Sequence, residues 1–195
     1  MYIVLSGTHG IGKTTLAKRL AEELGAVHLT ESVDEAIPPP PFGQNGNAPL
    51  YELWFVRQMI LKEAQMKDPK KIYVSDRGWA DISAYANVLL DEHARNIFRS
   101  VYDHLPKQLP DVHIIVDAPI EVVTARIRAR NRKTAGEWNE YDVDFLQNIM
   151  NEFTKFHSAY KELRPVYLLD VTGGIEENVK DAVALVSPHL LTRPD

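Results

Sequence analysis

Apolar runs of strand length alternate along the chain with longer stretches whose apolar positions recur at helical spacing. YIVLS, residues 2–6, is continuous and short, as a strand buried on both faces should be. In KTTLAKRLAEEL, 13–24, Leu16, Leu20 and Leu24 fall one helical turn apart, which predicts a helix. AVHLT (26–30) reads as a strand, LYELWFVRQMILKEAQM (50–66) as a helix and KIYVSD (71–76) as a strand. Residues 79–105 predict one or two helices, and VHIIVDA (112–118) a strand. The next stretch, 119–130, opens on Pro119, whose missing N–H costs nothing in a first helical turn. A long helix over 141–163, a strand over 165–171 and a helix over 175–186 close the pattern. Between residues 38 and 47, PPPPFGQNGN fits neither helix nor central strand, because prolines lack donors and Gly and Asn favour turns. It is expected to be a long loop, since the same alternation resumes beyond it. Repeated β-α alternation with near-continuous apolar strands predicts an α/β fold with a five-stranded parallel sheet covered on both faces.

Composition narrows this picture only a little. A chain of 195 residues suits one domain, 1–195, and 45% hydrophobic with 25% charged residues suits a globular protein. The formal net charge of −5 argues against a nucleic-acid partner. Without cysteine, disulfides and cysteine metal sites are excluded. No apolar run reaches the ~20 residues of a membrane helix, and no signal-peptide pattern precedes the first strand. No membrane association and a cytoplasmic setting are the expectations.

The chemistry starts at GTHGIGKT, residues 7–14, which has the form G-x-x-x-x-G-K-[ST] between a strand and a helix. Such a loop turns successive N–H groups inward around phosphate oxygens, and the helix N-terminus adds its positive end. Gly7, Thr8, His9, Gly10, Ile11, Gly12, Lys13, Thr14 and Thr15 are therefore candidates to hold ATP. Lys13 is assigned to the β- and γ-phosphates and the Thr14 hydroxyl to Mg2+. For His9 the backbone N–H is expected to matter more than the ring. Two later strands end in acids. Asp76 is expected beside the phosphate loop as the second Mg2+ residue, with Arg77 close to the same phosphates. Asp117 is read as a cap for the helix at Pro119.

GTHGIGKTT, LTES, DRGWADISAYA and PIEVVTARIRARNR together resemble the thymidylate kinase and deoxyribonucleoside kinase group. The resemblance runs in order through most of the chain. It implies a sheet in the order 2-3-1-4-5, a mobile lid at roughly 130–140 and a homodimer. Two branches compete. Thymidylate kinases usually place an arginine before the glutamate that follows the second strand, to grip the acceptor's phosphate. Here that position is Thr30, and Thr30-Glu31-Ser32-Val33 is similar to the T-E-P-V of nucleoside kinases, in which the glutamate takes the proton of the sugar 5′-hydroxyl. A lone carboxylate suits a hydroxyl and repels a phosphate. In the other direction, Asp76-Arg77-Gly78 and Ala84-Tyr85 look more like thymidylate kinase, and the lid pattern R-x-R-x-x-E meets Ala135 where its acid should be.

The resemblance also gives the basic run a role. Arg126, Arg128, Arg130 and Arg132 form two pairs one helical turn apart, and the bland account is a C-terminal cluster favoured by the helix dipole. In the family this segment leads into the lid. Arg130 and Arg132 are then assigned to the transferring phosphate, and Arg126 to stacking on adenine. By position, Trp54, Phe55, Arg57 and Gln58 on one helix and Trp79, Asp81 and Tyr85 on the next frame the acceptor. For each aromatic, ordinary core packing is the alternative. The expected protein is a kinase that moves the γ-phosphate of ATP to a nucleoside 5′-hydroxyl, with Lys13, Glu31, Arg77, Arg130 and Arg132 in catalytic roles. The alternatives are a thymidylate-type monophosphate kinase and a regulatory P-loop ATPase.

Overall fold

The computed structural model describes residues 1–34, 36–40, 47–130 and 139–191. Five strands form one parallel sheet: β1 (Tyr2–Ser6), β2 (Val27–Leu29), β3 (Tyr73–Asp76), β4 (Val112–Asp117) and β5 (Val166–Asp170). Their order is β2-β3-β1-β4-β5, the order the resemblance implies. β1 lies at the centre, and every one of its residues is buried. Its register sets Leu5 beside Asp76 on one side and Ile114 on the other. The strand-end acid of β3 therefore lies level with the exit of β1, where the glycine loop begins.

The helices are α1 (Lys13–Glu23), α2 (Ala48–Glu63), α3 (Trp79–Leu89), α4 (Glu92–Tyr102), α5 (Ile120–Arg130), α6 (Val143–Tyr160) and α7 (Ile175–Leu190). α1 packs on α7, and α3 packs between α2 and α6. The main core joins the central strands to Leu16, Leu20, Leu146, Ile149 and Val186. A second cluster, with Val56, Met59, Trp79, Ile82 and Phe98, locks α2 to α3 and α4. α2 and α3 also carry most of the residues that line a hollow next to the glycine loop.

Single side chains fix several of the boundaries. α2 begins at Ala48, because the Asn47 side chain accepts from the Leu50 N–H at 3.1 Å and Pro49 sits in the first turn. The stretch 79–105 breaks at Leu90, since Asp91 caps a new helix by accepting from the Ala94 N–H at 2.8 Å. α7 continues through Pro188, where apolar counting stopped at 186. The anticipated lid falls mostly on 131–138, and Arg132 with it, outside the described residues. So does most of the Pro/Gly loop, 41–46.

Candidate active site

The loop between β1 and α1 needs its glycines. Gly10 has φ 71°, and a Cβ there would come within 2.2 Å of Ile127 on α5. Gly7 has φ 152°, and its Cβ would meet the Val116 carbonyl at 2.8 Å. Side chains larger than hydrogen would therefore push the loop off β4 and α5. Ile11 points the other way, into the core.

Lys13 is buried, and its Nζ donates to the Thr8 carbonyl at 2.7 Å. Burial, helped by the nearby Arg77 cation, lowers its pKa to about 8 against the pull of Asp76, Asp81 and Glu31. Next to it the Thr14 hydroxyl donates to Asp76 Oδ2 at 2.5 Å. The other Asp76 oxygen, Oδ1, is buried without a hydrogen-bond partner. A hydroxyl and a buried carboxylate with a spare oxygen make a hard-donor pair of the type that suits Mg2+. Among the described residues no cluster of three or more His, Asp or Glu side chains offers an all-protein metal cage.

Arg77 stands at the centre. It has φ 68°, unusual for a side chain of its size, and this turn swings it off the end of β3 into the cleft. Its Nε lies 2.5 Å from Glu31 Oε1, and its Nη1 donates to Asp81 Oδ1 at 3.3 Å. The guanidinium carbon sits 5.0 Å from the Tyr85 ring centre. Glu31 follows β2 by two residues and keeps 36% of its side-chain surface exposed. Burial alone would raise its carboxyl, but Arg77, Lys13 and Lys62 outweigh this and hold it below the usual carboxylate range. It is therefore ionised and able to accept a proton. Asp81 ties the parts together by accepting from Ser6 Oγ at 2.5 Å and from the Gly78 N–H at 2.9 Å.

Two hollows meet here. One lies between α2 and α3 and is lined by Glu52, Phe55, Met59, Lys62, Ile82 and Tyr85 among others. The second lies over the glycine loop and carries Lys13, Thr14, Arg126, Arg130 and Glu140. His9, Glu31 and Arg77 line both.

Several sequence expectations need correction. Gln58 does not face the hollow. Its Oε1 accepts from the Val33 and Asp34 N–H groups at 2.9 and 3.0 Å, and its Nε2 donates to the Asp34 carbonyl at 3.1 Å. Arg57 pairs with Asp34 at 2.5 Å and is absent from the lining. Trp79 is a core residue whose indole donates to Glu63 at 2.5 Å. Trp54 is likewise buried, donating to the Ile37 carbonyl at 2.9 Å. Helix geometry explains the first two: Glu52, Phe55, Met59 and Lys62 share the face at 3-4-3 spacing that lines the hollow, and Arg57 and Gln58 point elsewhere. The His9 ring is in the site, 5.1 Å from the Tyr85 ring and with Nδ1 3.4 Å from Arg77 Nη2. Asp117 makes no capping bond to α5. It accepts from the adjacent Ala118 N–H, and burial beside Asp170 raises its carboxyl.

Arg126 donates to the Ile11 carbonyl at 2.9 Å and the Val171 carbonyl at 2.5 Å, pinning the loop to the segment after β5. Arg130 pairs with the buried Glu140 at 2.6 Å. Sequence reasoning missed Glu52, Lys62 and Glu140. An acid sharing a helix face with Phe55 and Met59 was the available signal for Glu52. For Lys62 and Glu140 the signal was absent, because their partners are distant backbone carbonyls or the chain beyond the lid.

A glycine loop feeding a helix, a threonine–aspartate pair beside it and an arginine–glutamate pair shared by two hollows are the features of a nucleotide-binding P-loop α/β protein. The chain belongs to the AAA domain family, whose pattern matches residues 2–177. Its curated relatives are nucleoside and nucleotide kinases, which are phosphotransferases. It is 25% identical to a deoxyguanosine kinase of Lactobacillus johnsonii over 178 residues, 81% of this chain and 77% of that one. It is 24% identical to a thymidylate kinase of Acinetobacter baylyi over 183 residues, 83% of this chain and 87% of that one. A solved deoxyadenosine kinase from M. mycoides, with products dCMP and a flexible dCDP bound, superposes with a TM-score of 0.80 at 16% identity, covering 96% of this chain and all of that one. Both branches of the kinase group are thus similar to the chain at comparable distance.

Proposed function

We propose that this protein is a kinase that transfers the γ-phosphate of ATP to the 5′-hydroxyl of a nucleoside. The observation that carries the reading is the sharing of Glu31 and Arg77 by both hollows. A phosphate held by the glycine loop and a hydroxyl reaching in from the α2–α3 side would meet at this pair. Glu31, held ionised, accepts the hydroxyl proton as the new O–P bond forms and the bond to the leaving ADP oxygen breaks. Arg77 and Lys13 offset the charge that spreads over the transferring group. Thr14 and Asp76 would hold Mg2+, which when bound neutralises the phosphates. Arg130, with Arg132 from the segment beyond it, would close over them and exclude water.

The charges support a hydroxyl over a phosphate acceptor. Arg57, the cation a phosphate acceptor would call on, is paired with Asp34 and lies off the cavity wall. Arg77 is bound by Glu31 and Asp81, and Lys62 donates to the Asp76 and Arg77 carbonyls. The test is ADP release with ATP and Mg2+ across nucleosides, their 5′-monophosphates and a no-acceptor control. Stimulation by nucleosides is expected. Stimulation by monophosphates alone would transfer the assignment to a nucleotide kinase, and equal release in every tube would leave an ATPase. A homodimer belongs to the same reading, and light scattering on the purified protein measures it.

A further inference from the structure

Two glutamates on α2 are buried, and they differ in one respect. Glu63 accepts from the Trp79 indole at 2.5 Å and from the Gln108 N–H at 3.1 Å, as a structural acid should. Glu52 is 1% exposed, and its Oε1 has no hydrogen-bond partner. It lines the α2–α3 hollow and not the one over the glycine loop. A buried carboxyl oxygen without a partner costs a folded protein about 1–3 kcal/mol, so such a group is retained where a ligand completes it. The nearby cations are engaged: Lys62 with the Asp76 and Arg77 carbonyls, Arg77 with Glu31 and Asp81. Phe55, one turn away on the same face, offers a flat wall beside it.

We propose that Glu52 reads the acceptor, pairing through both carboxyl oxygens with the edge of a nucleobase. This rests on the reading of the hollow as the acceptor pocket. Burial pushes the carboxyl up to about 8, with Arg77 opposing, so the protonated form predominates at pH 7. A protonated carboxyl presents one donor and one acceptor side by side. Every base has an edge that matches: an amino group beside a ring nitrogen in adenine and cytosine, a ring N–H beside a carbonyl in thymine and guanine. The ionised form accepts only. It matches guanine alone, whose ring N–H and amino group are two adjacent donors. Broad base acceptance at neutral pH and a guanine preference above about pH 8 follow.

The titratable groups around Glu52 are Tyr51 and Lys62 on its own helix, His9 on the glycine loop, Glu31 after β2, and Arg77, Asp81 and Tyr85 at β3–α3. Lys62 also titrates near 8, so the control must remove the Glu52 charge and leave Lys62 in place. Glu52→Gln does this, because its amide carries the same donor and acceptor and does not ionise.

The experiment is calorimetric titration of deoxyadenosine and deoxyguanosine, and of their 5′-monophosphates, into the intact protein at pH 7 to 9. For the wild type, the deoxyadenosine Kd is expected to rise towards tenfold per pH unit above about 8, while that for deoxyguanosine holds. Glu52→Gln should bind deoxyadenosine within ~3-fold of wild type at pH 7 and lose the part of the pH dependence that Glu52 adds to that of Lys62, since an amide makes the same two bonds. Glu52→Leu should weaken both purines by ~10–100-fold while keeping or raising Tm, because it removes an unpartnered buried group. Identical pH profiles for wild type and Glu52→Gln overturn the proposal, as does a Glu52→Leu protein of wild-type affinity. If only monophosphates bind, the nucleoside reading falls and the same comparisons on the monophosphates still decide the role of Glu52. If no acceptor binds, both fall.

Discussion

Replacing Gln58 by leucine separates two roles that a glutamine in this place could have. If it read a base, the change would alter acceptor preference and leave the fold intact. The structure assigns it instead to the turn that carries Glu31. Three bonds join it to Val33 and Asp34, and the side chain is fully buried. Leucine is close in volume and makes none of them. It strands two backbone N–H groups and one carbonyl in a partly buried turn. At about 1 kcal/mol net per bond, with some water reaching the turn, the expected loss is about 2–4 kcal/mol. For a chain of this length that lowers Tm by roughly 5–15 °C. Because Glu31 lies two residues before Val33, turnover should fall ~10-fold or more while ATP affinity changes little. Thermal and urea unfolding give the first quantity, and steady-state kinetics with an ATP titration give the second. An unchanged Tm together with a changed order of preferred bases would refute the structural account of Gln58.

Three further outcomes follow from the site. Glu31→Gln should keep ATP binding and cost ~10²–10⁴ in kcat, as loss of a general base does; near-normal kcat would remove Glu31 from proton transfer. Lys13→Ala should abolish turnover and weaken ATP binding in the same titration, and unchanged kinetics would contradict the phosphate role of the loop. His113 is buried beside Ser6 Oγ at 2.7 Å, and burial lowers its pKa to about 3. Its folded value lies below its unfolded value, so its contribution is complete above about pH 6.5 and is lost as pH falls towards 3, at up to about 1.4 kcal/mol per unit. Urea midpoints between pH 6.5 and 5 should therefore drop more steeply in wild type than in His113→Phe, and parallel slopes would exclude His113 as the titrating group.

Much of the architecture was legible in the chain because its signals are local. Short near-continuous apolar runs bounded by turn residues favour buried strands, as β1, β3 and β4 are, and the glycine spacing of 7–14 specifies a backbone path with few alternatives. Sheet order came from resemblance to a kinase group, not from periodicity. The boundaries that shifted, at Asn47 and at Asp91, depend on single capping side chains that apolar counting does not weigh.

The candidate site divides along the same line. Lys13, Thr14, Asp76, Arg77 and Glu31 are adjacent in sequence to strand ends, and a parallel sheet brings strand ends to one edge. Which side chains of α2 face the hollow is a matter of helix rotation, set by packing Val56, Met59 and Trp79 into the second core cluster. That rotation turned Gln58 onto the Glu31 turn, left Arg57 with Asp34 and presented Glu52 in their place. Residue types alone favoured the amide and the arginine as acceptor contacts. Only the tertiary structure could reverse that choice, because contacts between α2 and segments far along the chain decide which polar groups are already satisfied and which one, the Oε1 of Glu52, is left without a partner.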